Sequence, residues 1–143
     1  MISFSIILPT YNIVAHCIKT IRHILDFDYG SFELIVINDG SSDGTKKQLA
    51  KLDDVRLTII DTKNVGVSAA RNLGLGIARN DYVLFFDDDD EINPSILDIL
   101  DSAIRKNNHP DFVRYSGIRE NTDGSFETIP GFKKPMYNNE KKE

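Results

Sequence analysis

The chain has 143 residues, a net charge of −5, and 41% apolar against 27% charged side chains. This is the length and balance of one globular domain that buries roughly two thirds of its unfolded surface. Without a basic stripe to neutralise phosphates, an acidic chain argues against a nucleic-acid partner, and the Lys133-Lys134 and Lys141-Lys142 pairs are too sparse to change that. The single cysteine, Cys17, cannot form an internal disulfide and falls in an apolar helical stripe, where it reads as a small buried hydrophobe. The N-terminus runs directly into an apolar strand, so neither a signal peptide nor a transmembrane helix is expected, and the cytoplasm is the default compartment.

Apolar runs and helical periods alternate along the chain. Residues 4–8 read as a buried strand stopped by Pro9. Ile13/Val14, Cys17/Ile18, Ile21 and Ile24/Leu25 then recur at helical spacing, with Asn12 as N-cap. Residues 33–38 form a second, continuous strand of the kind buried in parallel sheets. Gly40 to Gly44 is a turn, and Thr45 with Gln48 reads as a capping box opening a short helix. A third strand is expected at 55–60, a helix at 67–78 and a fourth strand at 82–86. A helix begins at Pro94, with the stripe Ile96, Leu97, Ile99, Leu100, Ala103 and Ile104. A fifth strand is expected at 111–118; from Glu120 the chain turns polar, and its last dozen residues show no packing pattern. This β-α-β order predicts an α/β fold with a doubly wound, mostly parallel sheet.

In such a sheet the loops at the carboxyl ends of the strands gather at one edge, where ligands bind. All the chemically suggestive residues lie on that edge. The most informative is the run Asp87-Asp88-Asp89-Asp90 after an apolar strand. Neighbouring like charges repel by about 1 kcal/mol per close pair even in water, so four carboxylates there call for full solvation or a hard cation. Asp39, also at a strand end, suits either an acceptor for the imide hydrogen of a pyrimidine or an Asx-turn residue. Arg71 lies in a helix of small residues that can approach the sheet closely, within reach of a pyrophosphate or a carboxylate. Asp39, Ser41, Asp43 and Gly44 imitate the start of a calcium loop, but Ala50 stands where the closing Glu is needed. No Gly-x-Gly-x-x-Gly or Gly-Lys-Ser/Thr loop is present, which disfavours dinucleotide oxidoreductases, P-loop enzymes and nucleotidyltransferases. His16, His23 and His109 have no metal-site spacing.

Four motifs occur in order across residues 3–118: Ile7-Leu8-Pro9-Thr10-Tyr11-Asn12; Ile37-Asn38-Asp39-Gly40-Ser41-Ser42-Asp43-Gly44-Thr45; Asn64-x-Gly66-x-Ser68-x-Ala70-Arg71-Asn72-x-Gly74; and Phe85-Phe86-Asp87-Asp88-Asp89-Asp90. Together they resemble the family 2 glycosyltransferases of GT-A fold. The resemblance implies a Rossmann-like donor half at 1–119 that binds a nucleotide-sugar, most often a UDP-sugar, followed by a polar segment at 120–143 that begins an acceptor half. Pro9, Thr10, Tyr11, Asp39, Arg71, Asp87 and Asp88 would bind the nucleotide, Thr10 and Tyr11 at the base and Asp39 on the uracil. Asp89, with Asp87, would hold Mn²⁺ or Mg²⁺ on the pyrophosphate. Inverting transfer to a saccharide or lipid-linked acceptor, in surface polysaccharide synthesis, would follow. Association with the inner membrane face through a C-terminal region, and homodimerisation, are compatible with it.

The sequence also departs from the family pattern. Val14 stands where a Glu is frequent, Phe27 where a Gln is common, Asn80 where Gly is usual, and Asp88 where the residue is usually small or neutral. No general base is evident, since Glu120, Asp123 and Glu127 are candidates only by default. The alternative is therefore a non-catalytic nucleotide-binding or interaction module.

Overall fold

The computed structural model describes residues 1–115 and 117–129, which fall into two compact units that divide after Ser102. In the first unit β1 (Phe4–Thr10), β2 (Phe32–Asn38), β3 (Leu57–Asp61) and β4 (Tyr82–Phe85) form one parallel sheet of order β3-β2-β1-β4. Register is regular: Ile7 lies beside Ile35 and Phe85, and Ile37 beside Ile60. β1 and β2 are the central strands, and Ile6, Ile7, Leu8, Leu34, Val36 and Ile37 are fully buried.

Three helices connect these strands: α1 (Val14–Leu25), α2 (Thr45–Leu49) and α3 (Val67–Ile77). The chain moves outward from β1 to β3 and then crosses back to β4. Right-handed crossovers therefore put α1 and α2 on one face and α3 on the other. The α3 face is built on Ile7, Ile35, Ile37 and Ala70, with Ile60, Ala78 and Val83 packed against them. Side chains alternate along a strand, so Leu34 and Val36 face the α1 side. There Cys17, Thr20, Ile21 and Ile24 form the buried stripe of α1.

Burial pushes the Cys17 thiol up to about 11, while Thr10 pulls the other way and the Asp88 and Asp43 carboxylates push it further up. At pH 8 roughly one thiol in a thousand is then ionised. The native protein is expected to stay unreactive toward a disulfide reagent at that pH and to release one thiol equivalent in denaturant. Rapid titration of the folded protein would overturn this placement.

Several expectations change. The third strand begins at Leu57, because Asp54 accepts the Arg56 backbone N–H (2.8 Å) and ion-pairs with its guanidinium, making a turn that leaves Val55 exposed. Asn12 does not cap α1: its φ is +53°, and the N-cap position is Ile13. Thr45 is the first residue of α2 and is buried, so the capping box does not form. A single residue does both jobs. One Asp43 carboxylate oxygen accepts the Val14 N–H of α1 (3.2 Å), and the other accepts the Thr45 N–H of α2 (3.0 Å) and the Thr45 hydroxyl. These bonds hold the Asp43 carboxyl below its ordinary range, with the Thr45 hydroxyl the largest cause.

Asn80 needs no left-handed backbone; its side-chain amide donates to the Phe4 carbonyl (2.8 Å). The helix α4 (Ile96–Lys106) buries Leu97, Leu100 and Ile104 but leaves Ile99 exposed, so Ile99 falls outside the apolar stripe. The expected fifth strand of the sheet does not form. Residues 111–115 are not strand, and β5 (Gly117–Glu120) pairs antiparallel with β6 (Phe126–Ile129) in a separate hairpin. Asn121 and Gly124 close its turn, and Asp123 accepts from the Ser125 N–H and hydroxyl. The last dozen residues lie outside those described. No helix among the described residues is long and apolar enough to cross a membrane.

Candidate donor-binding site

The order β3-β2-β1-β4 reverses direction between β1 and β4, and the carboxyl edge at such a switch point is where open α/β sheets hold ligands. An open pocket of about 570 Å³ lies there. Pro9, Thr10, Tyr11, Asp39, Arg71, Asp87, Asp88 and Asp89 all line it, so every nucleotide- or metal-binding candidate from the sequence comes to one place. Asn64, Gly66 and Val67 complete the wall. These three were legible only as parts of the Asn-x-Gly motif.

Asp39 does not project freely from the edge. It is buried, and its carboxylate accepts hydrogen bonds from the Thr62 hydroxyl (2.5 Å), the Val65 N–H (2.6 Å) and the Gly66 N–H (2.8 Å). Burial alone would raise its pKa; the Thr62 hydroxyl and the two amides outweigh that and hold it below the usual range. Its position just before α3 also lets the negative charge meet the positive end of that helix. Gly40 makes the arrangement possible: its φ is +77°, and a Cβ there would stand 2.7 Å from the Asn64 backbone nitrogen. Only glycine lets the loops after β2 and β3 approach this closely. On the other side, the Asn12 N–H donates to the Ser41 hydroxyl (3.0 Å), and the Asn12 side chain accepts the Ser42 N–H (2.7 Å). The loops after β1, β2 and β3 are thus tied together, and Tyr11 stands half-exposed at the rim.

The four consecutive aspartates divide their tasks, which is how they coexist. Asp87 ion-pairs with the Arg71 guanidinium. The Asp90 carboxylate accepts the Asp87 N–H (3.0 Å), and the Asp90 N–H donates to the Asp87 carbonyl (3.2 Å), closing a turn. Asp88 points inward; burial raises its pKa, and the Asp89 and Asp87 charges add to that against the Thr10 hydroxyl, which approaches without completing a hydrogen bond of good geometry. Asp89 remains at the apex, exposed, making no hydrogen bond or ion pair among the described residues. The described residues contain no group of three or more His, Cys, Asp or Glu able to hold a metal by themselves. Asp89 and Asp87 are nonetheless hard oxygen donors beside one pocket, and a small divalent ion is usually held by one or two carboxylates together with substrate phosphates.

A reversed parallel sheet with a carboxylate-edged pocket across its switch point defines an open α/β protein whose candidate site lies at the carboxyl edge of the sheet. The sequence profile of Glycosyl transferase family 2 matches residues 5–142. The chain belongs to that family and has the GT-A type of fold. Among its relatives is the amylovoran biosynthesis glycosyltransferase AmsB of Erwinia amylovora, 32% identical over 87% of this chain and 44% of AmsB. TarS 1-349 of S. aureus in complex with UDP superposes with a TM-score of 0.67 at 29% identity, over 73% of this chain and 32% of TarS. The mannosyltransferase PcManGT of Pyrobaculum calidifontis, in complex with GDP-Man and Mn²⁺, gives 0.56 at 26% identity, over 62% of this chain and 28% of PcManGT. The chain spans less than half the length of the curated relatives it matches, from 14% for one to 44% for another.

Proposed function

We propose that the pocket binds a nucleoside diphosphate-sugar, a UDP-sugar first among them, and that the chain is the donor-binding part of an inverting glycosyltransferase. One observation carries this reading. Among the described residues, the buried side-chain polar atoms without a partner are Thr10 Oγ1, Arg71 Nε and Asp88 Oδ2, and all three residues line this one pocket. An unpaired buried polar group costs about 1–3 kcal/mol, so their concentration at one place points to a polar ligand rather than to random packing defects. Tyr11 offers a ring face to a base, Asp39 a fixed carboxylate with one lone pair uncommitted, and Arg71 a guanidinium for phosphate oxygens.

Asp89, assisted by Asp87, would hold Mn²⁺ or Mg²⁺ against the diphosphate. When bound, that ion offsets the charge developing on the departing nucleoside diphosphate. The Mn²⁺ in the complex of PcManGT supports this assignment. The acceptor is a saccharide or a lipid-linked acceptor, a reading supported by the amylovoran biosynthesis named for AmsB, and the reaction is assigned to the cytoplasm or the inner membrane face. A general base is not assigned, and Asp123 is committed to the Ser125 turn.

Thermal unfolding with UDP, GDP and dTDP, each with Mn²⁺ or with chelator, tests the reading. At a hundredfold excess over its dissociation constant, UDP with Mn²⁺ is expected to stabilise by about 2.7 kcal/mol, a rise of several degrees, and Asp89→Ala is expected to abolish the metal-dependent part. No shift with any nucleotide would reject the donor site.

A further inference from the structure

Asp89 belongs to two cavities. Behind the acidic loop, against α1, lies a second space of about 400 Å³ whose wall includes His16, Lys19, Asp89 and Glu91. The loop is therefore a thin partition, and a carboxylate at its apex keeps its position only if the loop is anchored from behind.

Two side chains of α1 supply that anchorage. The Thr20 hydroxyl donates to the Asp88 carbonyl (3.0 Å), and His23 Nε2 lies 2.6 Å from the Ile92 carbonyl. A carbonyl only accepts, so His23 Nε2 carries the proton in this contact. Thr20 and His23 are three residues apart on one helical face, and their two bonds bracket residues 89–91. Both anchors are themselves fixed. Thr20 is 8% exposed, and the His23 ring meets Phe27 edge-on at 5.4 Å. The Asp87–Asp90 turn stiffens the loop from within and the Arg71 ion pair holds Asp87 on the pocket side, while the two α1 bonds hold the loop from behind.

The geometry points to Thr20 and His23 as positioning residues that aim the Asp89 carboxylate at a divalent cation on the donor diphosphate. This inference rests on the proposed donor reading. Partners that orient a metal-binding carboxylate typically change metal affinity by 10–100-fold when lost.

Calorimetric titration of the full chain with UDP, in excess Mn²⁺ and separately in EDTA, tests it. Thr20→Val is nearly isosteric and removes only the donor. It is expected to lose about tenfold of the Mn²⁺ enhancement of UDP affinity, while the affinity in EDTA stays within about twofold. His23→Phe should behave in the same way, and Thr20→Ser and His23→Gln, which keep a donor, should recover most of the enhancement. A general packing defect would instead lower both affinities together and would not separate Ser from Val. Wild-type protein that shows the enhancement, with variants that retain it, overturns the clamp alone. Wild-type protein that binds UDP equally with and without Mn²⁺, or does not bind it, overturns the metal-assisted donor reading and the clamp with it.

Discussion

Replacing Gly74 with valine is expected to lower stability by about 3 kcal/mol, the upper range for overpacking a core, and the melting temperature by roughly 10 °C. A Cβ at Gly74 would lie 2.5 Å from Ile7 Cγ2, with two further Ile7 carbons at 3.2 and 3.3 Å. Ile7 cannot yield. It is fully buried on a central strand, belongs to the Ile35, Ile37 and Ala70 cluster, and is β-branched and stiff at χ1. The neighbouring glycine provides the control. Nothing lies within 4 Å of a Cβ at Gly76, so Gly76→Ala should stabilise by about 1 kcal/mol through helix propensity alone. Two glycines two residues apart in one helix thus have effects of opposite sign. Thermal or urea unfolding of both variants would show it, and a neutral Gly74→Val would mean that α3 does not press on β1.

The second large effect is expected at Asp39. Asp39→Ala leaves the Thr62 hydroxyl and the Val65 and Gly66 amides without their acceptor, at the junction of three loops. Hydrogen bonds to a charged group contribute about 1.5–3 kcal/mol each, partly recovered by water, so a net loss of about 3 kcal/mol is expected. The pH dependence has a definite sign. The folded pKa lies below the ordinary carboxylate value near 4, so Asp39 contributes its stabilisation above that value and loses it as pH falls through the folded pKa. Wild type and Asp39→Ala should therefore differ most at neutral pH and converge as pH falls below the ordinary carboxylate value and through the folded pKa. Nucleotide binding should fall in the same variant, because loop 62–66 forms one wall of the pocket. A stability gap independent of pH would show that the carboxylate charge is not what holds the loop.

Of the four sequence motifs, each supplied a residue to the pocket, and strand order explains why. Apolar runs of five to seven residues alternating with helical periods admit few parallel arrangements, and in any of them the strand ends share an edge. Thr10, Asp39 and Asp87 were therefore legible as neighbours before any coordinates. Arg71 was legible as within reach of that edge, through the small residues of α3. Local capping was not legible in the same way. Thr45 and Gln48 satisfy a capping-box spacing, and Asn12 a cap preference, yet one carboxylate from Asp43 serves both helices because β1 and β2 are adjacent. The fifth strand failed for a related reason: residues 111–118 have the composition of a strand, but pairing decides, and Gly117–Glu120 found its partner in Phe126–Ile129.

By itself, the sequence determined the parallel α/β layout, the family and the edge at which chemistry gathers, because periodicity and strand-end residues are local properties of the chain. Which aspartate does what was decided only in three dimensions. Four identical side chains in a row carry identical local signals. Arg71 from α3, Thr10 from β1 and the turn closed by Asp90 lie far apart in sequence or bond through geometry, and they alone separate an ion-paired Asp87, a half-buried Asp88 and a committed Asp90 from the exposed Asp89 at the apex.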